Sequence, residues 1–431
     1  MYRLKKTQSR DVAQAVGLLG LLVVLALSAP VEGQAPAAGA TVFEGARLII
    51  GDGRPPVENA TFIVTGSRFV QVGGAGQVNV PAGAARVNLA GKTVMPAILD
   101  THTHLSQTRE ALTNDLRRRP YYGVSAAMSL GQDEGDLPFQ MRTESANTPG
   151  LARFFTAGRG ITAPEPGRTM VPYWITTPAE ARKAVQELAA RKVDIVKIWI
   201  DDRMGQFKKL TPDLYGAVID EAHKNGLRAT AHIFALEDAK GALRANLDAF
   251  AHVPARDKDV DDEFMGLIKQ HPNVVLVPNL PDRGVATDLS WLKDSIPAAE
   301  LQKLQAAATN RPEVQTTFGI QARNLAKLNA AGVRIALGTD GNTPWGPHVE
   351  MADMVAAGMT PAQVIVASTR NSADFLKLAD TGTVEAGKIA DFIVLDANPL
   401  DDIANTRRIS SVYIRGAAVD RAAFRVSPTT R

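Results

Sequence analysis

The sequence predicts an α/β fold: a (β/α)8 TIM barrel carrying a small composite β-sandwich domain formed by both chain ends. Three observations carry that reading. Eight short apolar runs alternate with helical patterns across residues 95–380. The flanking segments, 41–94 and 381–425, read instead as short strands broken by glycines. The length of 431 residues fits one large barrel with an accessory module. A composition of 45% hydrophobic and 22% charged residues excludes a mainly disordered chain, a fibrous repeat and a multi-span membrane protein.

Residues 1–33 are read as an export signal, outside the fold. MYRLKKTQSR is basic, and Val16 to Ala29 form an uncharged apolar run of 14 residues followed by small residues and a proline. Fourteen is short for a membrane span, which needs roughly 20 residues, and suits the apolar core of a signal peptide. Cleavage is expected between Ala29 and Ala37, with an uncleaved N-terminal anchor as the alternative. The body of the protein is expected to be exported, periplasmic or secreted, with no membrane contact once the signal is removed. The absence of cysteine excludes disulfides, thiol nucleophiles and Cys-ligated zinc, and leaves histidine and carboxylates as the usual metal donors. The net charge of +3 comes largely from Arg3, Lys5, Lys6 and Arg10 against Asp11 and Glu32, so nothing argues for nucleic acid.

The first β segment runs TVFEGARLII, NATFIVTGSRFVQV and GARVNL, with turns expected at Gly51-Asp52-Gly53 and Gly73-Gly74. ADFIVLD and ISSVYIRGAAV repeat that texture near the C-terminus. The barrel runs are TVMPAILD, GVSAAMS, ARFFTAG, VDIVKIWI, RATAHIF, DAFAHV, NVVLVPN and RIALGTD. Continuous apolar runs of this kind suit parallel strands buried on both faces. Between them, Thr177-Pro178-Ala179-Glu180 and Thr360-Pro361-Ala362-Gln363 read as capping boxes with proline at the first helical position. Thr211-Pro212 opens another helix, which Gly226 ends.

The ionisable residues fall on one rim of this barrel. TVMPAILD leads into Thr101-His102-Thr103-His104, and Lys197, His232, His252 and Asp340 lie near the ends of runs four, five, six and eight. The C-terminal ends of barrel strands are where such enzymes place their sites. Positions 102 and 104 share a face, because side chains alternate along a strand. Taken singly, each has a plain structural explanation: a solvated lysine, a hydrogen-bonded core histidine, an aspartate that caps a helix. Six such coincidences on one rim are hard to sustain. His348 follows Asp340 by eight residues and is a substrate-contact candidate, with a helix-start role as the alternative. His223 and His271 read as surface residues of a helix end and a turn. Tyr173, Trp174, Asn279 and Arg283 fall on loops of the same rim and are not ranked by the sequence; Tyr121 and Tyr122 precede the second strand and read as structural.

PAILDTHTH, VKIWID, ATAHIF, DAFAHV and GTDG, in this order, resemble the amidohydrolase superfamily, as does the stretch from Gly358 to Ile403. The likeness spans roughly residues 41–425 and is nearest to the imidazolonepropionase-like and Xaa-Pro-dipeptidase-like branch. One departure is Ala97, where the family usually has glycine; only a local backbone adjustment is expected. The resemblance implies a metal-dependent hydrolase with a divalent metal, zinc by donor chemistry, although manganese, cobalt and iron also suit such ligands. It implies that His102 and His104 bind one ion with Asp340 beside it, and that His232 and His252 bind a second. Lys197 would carry a carbamate that bridges both. A one-metal site of His102, His104, His232 and Asp340, with Lys197 unmodified, is the alternative. Asp340 would move a proton from the attacking water to the leaving nitrogen.

The expected activity is hydrolysis of an amide C–N bond in a small molecule: a dipeptide, an N-acyl amino acid or a cyclic amide. The alternative is an ester, lactone or phosphotriester hydrolase using the same centre. A non-catalytic exported binding protein on a barrel scaffold is the competing class. A homo-oligomer is compatible with the sequence.

Overall fold

In the computed structural model, residues 39–426 are described. The segment read as an export signal lies outside them. Strands β1 (Ala40–Leu48), β2 (Val57–Thr65) and β3 (Arg68–Gly74) form an antiparallel meander, and β4 (Ala85–Asn88) and β5 (Thr93–Pro96) run parallel to β1. The Gly51–Gly53 turn is as expected, with both glycines at positive φ. Gly73 and Gly74 are not a turn: they stay in register opposite Thr61 and Ala60 at the end of β3.

The next run does not behave as one strand. TVMPAILD divides at Ala97 into β5 and β6 (Ile98–Thr103), which belong to different sheets. Ala97 N–H donates to the Asp391 carbonyl at 2.9 Å, and Ile98 N–H donates to the Gly123 carbonyl at 2.9 Å, so the switch falls between neighbouring peptide groups. Ala97 is absent from the left-handed region, which explains why alanine serves there.

The remaining strands are β7 (Val124–Ser129), β8 (Arg153–Thr156), the short β9 (Ile161–Thr162) and β10 (Tyr173–Trp174), β11 (Val196–Ile200), β12 (Ala229–Ile233), β13 (Ala249–Ala251), β14 (Val275–Val277) and β15 (Arg334–Ile335). All eight predicted runs therefore contain strand, each followed by a helix. This is a TIM-barrel-like α/β arrangement. Its ladder comes in two arcs: β6-β7-β8, and β9 through β15 with β10 at the edge. Single hydrogen bonds cross the gaps. Asp194 N–H donates to the Thr156 carbonyl at 3.0 Å, and Thr101 N–H donates to the Leu337 carbonyl at 2.9 Å. Leu99, Met128, Ala249, Val277 and Ala336 come from five strand positions and pack as one buried cluster.

The chain then returns to the first sheet. β16 (Phe392–Leu395) pairs with β5, β17 (Ile409–Ile414) with β16, and β18 (Ala417–Ala418) with β17. Aromatic packing joins the two ends: the Phe43 ring lies 4.9 Å from Phe62 and 5.2 Å from Phe392, which stacks on Tyr413 at 4.5 Å.

Helix starts follow the sequence at all three sites. The capping boxes at Thr177/Glu180 and Thr360/Gln363 are both formed; such caps contribute about 1 kcal/mol each. Thr211 precedes helix Pro212–Lys224 without capping it, because its hydroxyl turns to Asp213 instead. Gly226, at φ 70°, closes that helix as expected.

Candidate metal centre

Five of the six rim residues meet around one carboxylate. β6 ends in His102, wholly buried, whose Nε2 lies 3.1 Å from Asp340 Oδ1. His104 Nε2 reaches the same oxygen at 2.9 Å. His252 Nε2, just beyond β13, lies 3.6 Å from Asp340 Oδ2. Lys197 Nζ, buried on β11, lies 3.3 Å from His102 Nε2. The donor atoms of His102, His252 and Asp340 all fall within 4.8 Å of one another. The Asp340 carboxylate keeps 36% of its surface open, so the cluster faces solvent through that group.

His232 stands beside the cluster but is turned outward. Its ring is 4.6 Å from that of His252, while its Nε2 lies 3.1 Å from Asp201 Oδ2 and 3.3 Å from Arg203 Nη1. Arg203 also donates to Asp201 at 2.8 Å and to Glu165 at 2.8 Å. A charged chain thus ties the loop after β11 to the loop after β9.

Burial sets the charge state. It pushes His102 down to about 3, helped by the neighbouring Lys197 charge, and His232 down to about 4 against its bond to Asp201. His252 is lowered well below the usual range by burial and by His232. Burial brings the Lys197 ammonium down to about 7. For Asp340 burial alone acts upward, yet His102, His104 and His252 outweigh it and keep the carboxylate ionised. Neutral imidazoles around an anion are the protonation states a divalent cation needs.

Those residues fit a metal. The Nε2 of His252 and the Nδ1 of His104 are buried without a hydrogen-bond partner, which is costly unless another donor or acceptor takes them up. A set of imidazole nitrogens and carboxylate oxygen suits zinc, with room for other divalent ions. Three residues at these strand ends, His252 (φ 127°), Asn279 (φ 44°) and Asp340 (φ 52°), hold left-handed backbone, the kind of strain that clusters at functional sites.

Several residues that sequence reasoning left unranked or overlooked support the centre. Asn279, after β14, places its amide nitrogen 2.5 Å from Nδ1 of His102. Asp100 accepts from the Thr339 hydroxyl at 2.8 Å and from the His102 N–H at 3.3 Å, with the buried Arg119 guanidinium 3.6 Å away. A signal for Asp100 was present, since it shares the alternating face of His102 and His104. Asp201 and Arg203 directly follow the Lys197 strand.

Other candidates go elsewhere. His348 is a correction in placement: it is buried, with Nε2 2.9 Å from the Tyr122 carbonyl and Nδ1 3.0 Å from the Thr406 hydroxyl. Both nitrogens are committed to joining chain segments. His223 pairs with Asp248 at 2.8 Å, and His271 caps the end of helix Asp262–Gln270. Arg283 pairs with Asp353 at 2.7 Å, and Tyr173 packs under Arg159 at 4.1 Å. Tyr121 and Tyr122 are buried.

A cleft of about 490 Å³ opens beside the centre, lined by His232, Phe234, Asp201, Arg203, Met204 and Arg256 among others.

Residues 160–419 match the model of the amidohydrolase family. An ochratoxinase of Aspergillus niger is 25% identical over 425 residues, covering 84% of this chain and 82% of that one. An imidazolonepropionase of Deinococcus radiodurans is 24% identical over 388 residues, covering 84% and 92%. The crystal structure of a Xaa-Pro dipeptidase with methionine in its active site superposes with a TM-score of 0.70 at 21% identity, covering 88% of this chain and 99% of that chain.

Proposed function

The chain belongs to the amidohydrolase family, and from that premise we propose an exported, metal-dependent hydrolase of small amides: a dipeptide, an N-acyl amino acid or a cyclic amide. The observation that carries the reading is the convergence of three imidazoles on the Asp340 carboxylate, with a buried lysine against His102. The relatives are named for small-molecule hydrolysis, which supports a small substrate.

His102 and His104 would hold one ion with Asp340, and His232 and His252 a second. When bound, the metal supplies hydroxide at neutral pH and polarises the scissile carbonyl. Lys197 Nζ is buried, with no carboxylate within ion-pair distance among the described residues. Its neutral amine would add to the carbon of carbon dioxide, forming an N–C bond as one C–O π bond opens onto oxygen and one proton leaves. The resulting carbamate would offer anionic oxygens to bound cations, which an ammonium would repel. Asp340, beside His102 and His104 and partly open to solvent, would accept the proton of the attacking water and return it to the leaving nitrogen.

The test incubates the zinc-loaded protein with dipeptides, N-acyl amino acids, lactones and aryl esters, and reads products by mass spectrometry. Amide cleavage that Asp340→Asn loses, with metal retained, is the expected result. Cleavage confined to lactones or esters moves the activity to another electrophile at the same centre. Full activity of Asp340→Asn removes the proton-shuttle role.

A further inference from the structure

The cleft beside the centre has an anchor that catalysis does not use. Arg256 lies three residues beyond Val253 on the loop after β13, held by two local features. Its N–H donates to the Phe234 carbonyl at 2.9 Å, and Ala255 before it adopts left-handed backbone at φ 63°. Its guanidinium stacks over the Phe234 ring at 4.7 Å. The same ring lies 4.6 Å from His232 and 4.9 Å from His252. Phe234 therefore touches both the cation and the two histidines.

The other cations of the cleft are engaged. Arg203 pairs with Asp201 and Glu165, and Lys209 with Asp238 at 2.6 Å. Arg256 has no carboxylate within ion-pair distance among the described residues. A guanidinium pre-set by stacking presents its planar fork to a carboxylate with little ordering cost. Apolar surface lies close by: Met204 lines the cleft and is 88% exposed.

We infer that Arg256 anchors a free carboxylate of the substrate, so that the cleft selects short acyl compounds bearing one carboxylate about a residue from the scissile bond. This rests on the amide-hydrolase reading and narrows it to N-acyl amino acids and dipeptides over neutral cyclic amides. The cation and both histidines lie within 4.9 Å of the centre of one ring, a separation that one to two residues at about 3.5 Å each can span. An apolar side chain of the substrate meets Phe234 and Met204.

The experiment has a kinetic and a binding arm, both on the full chain loaded with zinc. The kinetic arm compares an N-acyl-leucine with its carboxamide. The binding arm uses calorimetry with ketomethylene analogues of the two, in which the scissile nitrogen is replaced by carbon. Wild-type protein is expected to favour the free acid at least tenfold in kcat/KM and in affinity. Arg256→Met collapses both ratios towards one, and Arg256→Lys keeps part of the preference. Equal handling of acid and carboxamide by the wild type, or an undiminished ratio in Arg256→Met, overturns the anchor even if amides are cleaved. Acid-selective binding that Arg256→Met abolishes, without turnover of any amide, supports the anchor and removes the hydrolytic reading instead.

Discussion

Asn279 grips the edge of the His102 ring that faces away from Asp340, with its amide 2.5 Å from Nδ1. In that orientation Asn279 Oδ1 is buried without a partner. A half-turn of the amide makes Oδ1 the acceptor of an Nδ1–H, which is the tautomer that frees His102 Nε2 for a cation. Asn279 is thus a positioning residue, and substituting such partners weakens metal binding by roughly 10- to 100-fold. Asn279→Ala is expected to lose zinc affinity by that factor in chelator competition, with circular dichroism unchanged. Affinity equal to wild type refutes the role.

Lys197 decides between one metal and two. With a carbamate on Nζ, the protein is expected to bind two zinc ions per chain by elemental analysis. Supplied with 13C-bicarbonate, it should show a carbamate carbon resonance. Lys197→Met removes the resonance and lowers the stoichiometry to one or fewer. One zinc per wild-type chain and no carbamate signal establish the mononuclear alternative, with the lysine unmodified.

Gly338 makes the close packing behind His102 possible. A Cβ there meets Val277 Cγ1 at 2.5 Å, Asn279 Oδ1 at 2.6 Å and His102 Cβ at 2.7 Å. None is the free end of a long side chain, so the strain falls on the centre. Gly338→Ala should destabilise the protein by about 1–3 kcal/mol and reduce zinc occupancy together. Loss of stability with full metal affinity shows that His102 keeps its place by other means.

Much of this was legible because parallel strands buried on both faces write themselves as apolar runs, and because a barrel strand ends at the rim. The six polar residues at those ends were visible for that reason. The division at Ala97 was not, since Val94, Met95, Ile98 and Leu99 are equally buried although they serve different sheets. Only partners remote in sequence, Asp391 and Gly123, separate them. The same limit hid the outward turn of His232: its Asp201 and Arg203 partners stand on the neighbouring strand's loop. Asn279 was visible on a rim loop but unranked, because its importance lies in a contact 177 positions away. The Arg256 anchor depends on a left-handed alanine that no periodicity announces.

His348 tests the structure away from the centre. Its ring is buried between Tyr122 and Thr406, and burial, with Arg407 and Arg421 adding repulsion, lowers it to about 4 despite the bond to the Tyr122 carbonyl. In the unfolded chain a histidine titrates near 6.5. Between those values the unfolded state binds the extra proton, so stability is full above about pH 6.5 and falls until about pH 4. The contribution lost is about 3 kcal/mol, since each tenfold difference in proton affinity between the two states is worth roughly 1.4 kcal/mol. His348→Gln retains a donor and an acceptor but does not titrate. Denaturant unfolding of both proteins from pH 7 to 4 should therefore show their stability difference changing in favour of the variant as pH falls. Acid effects on the candidate metal centre are common to both and cancel in that difference. A difference that stays constant across the window means that His348 is not held neutral, and that its ring is solvated in the folded protein.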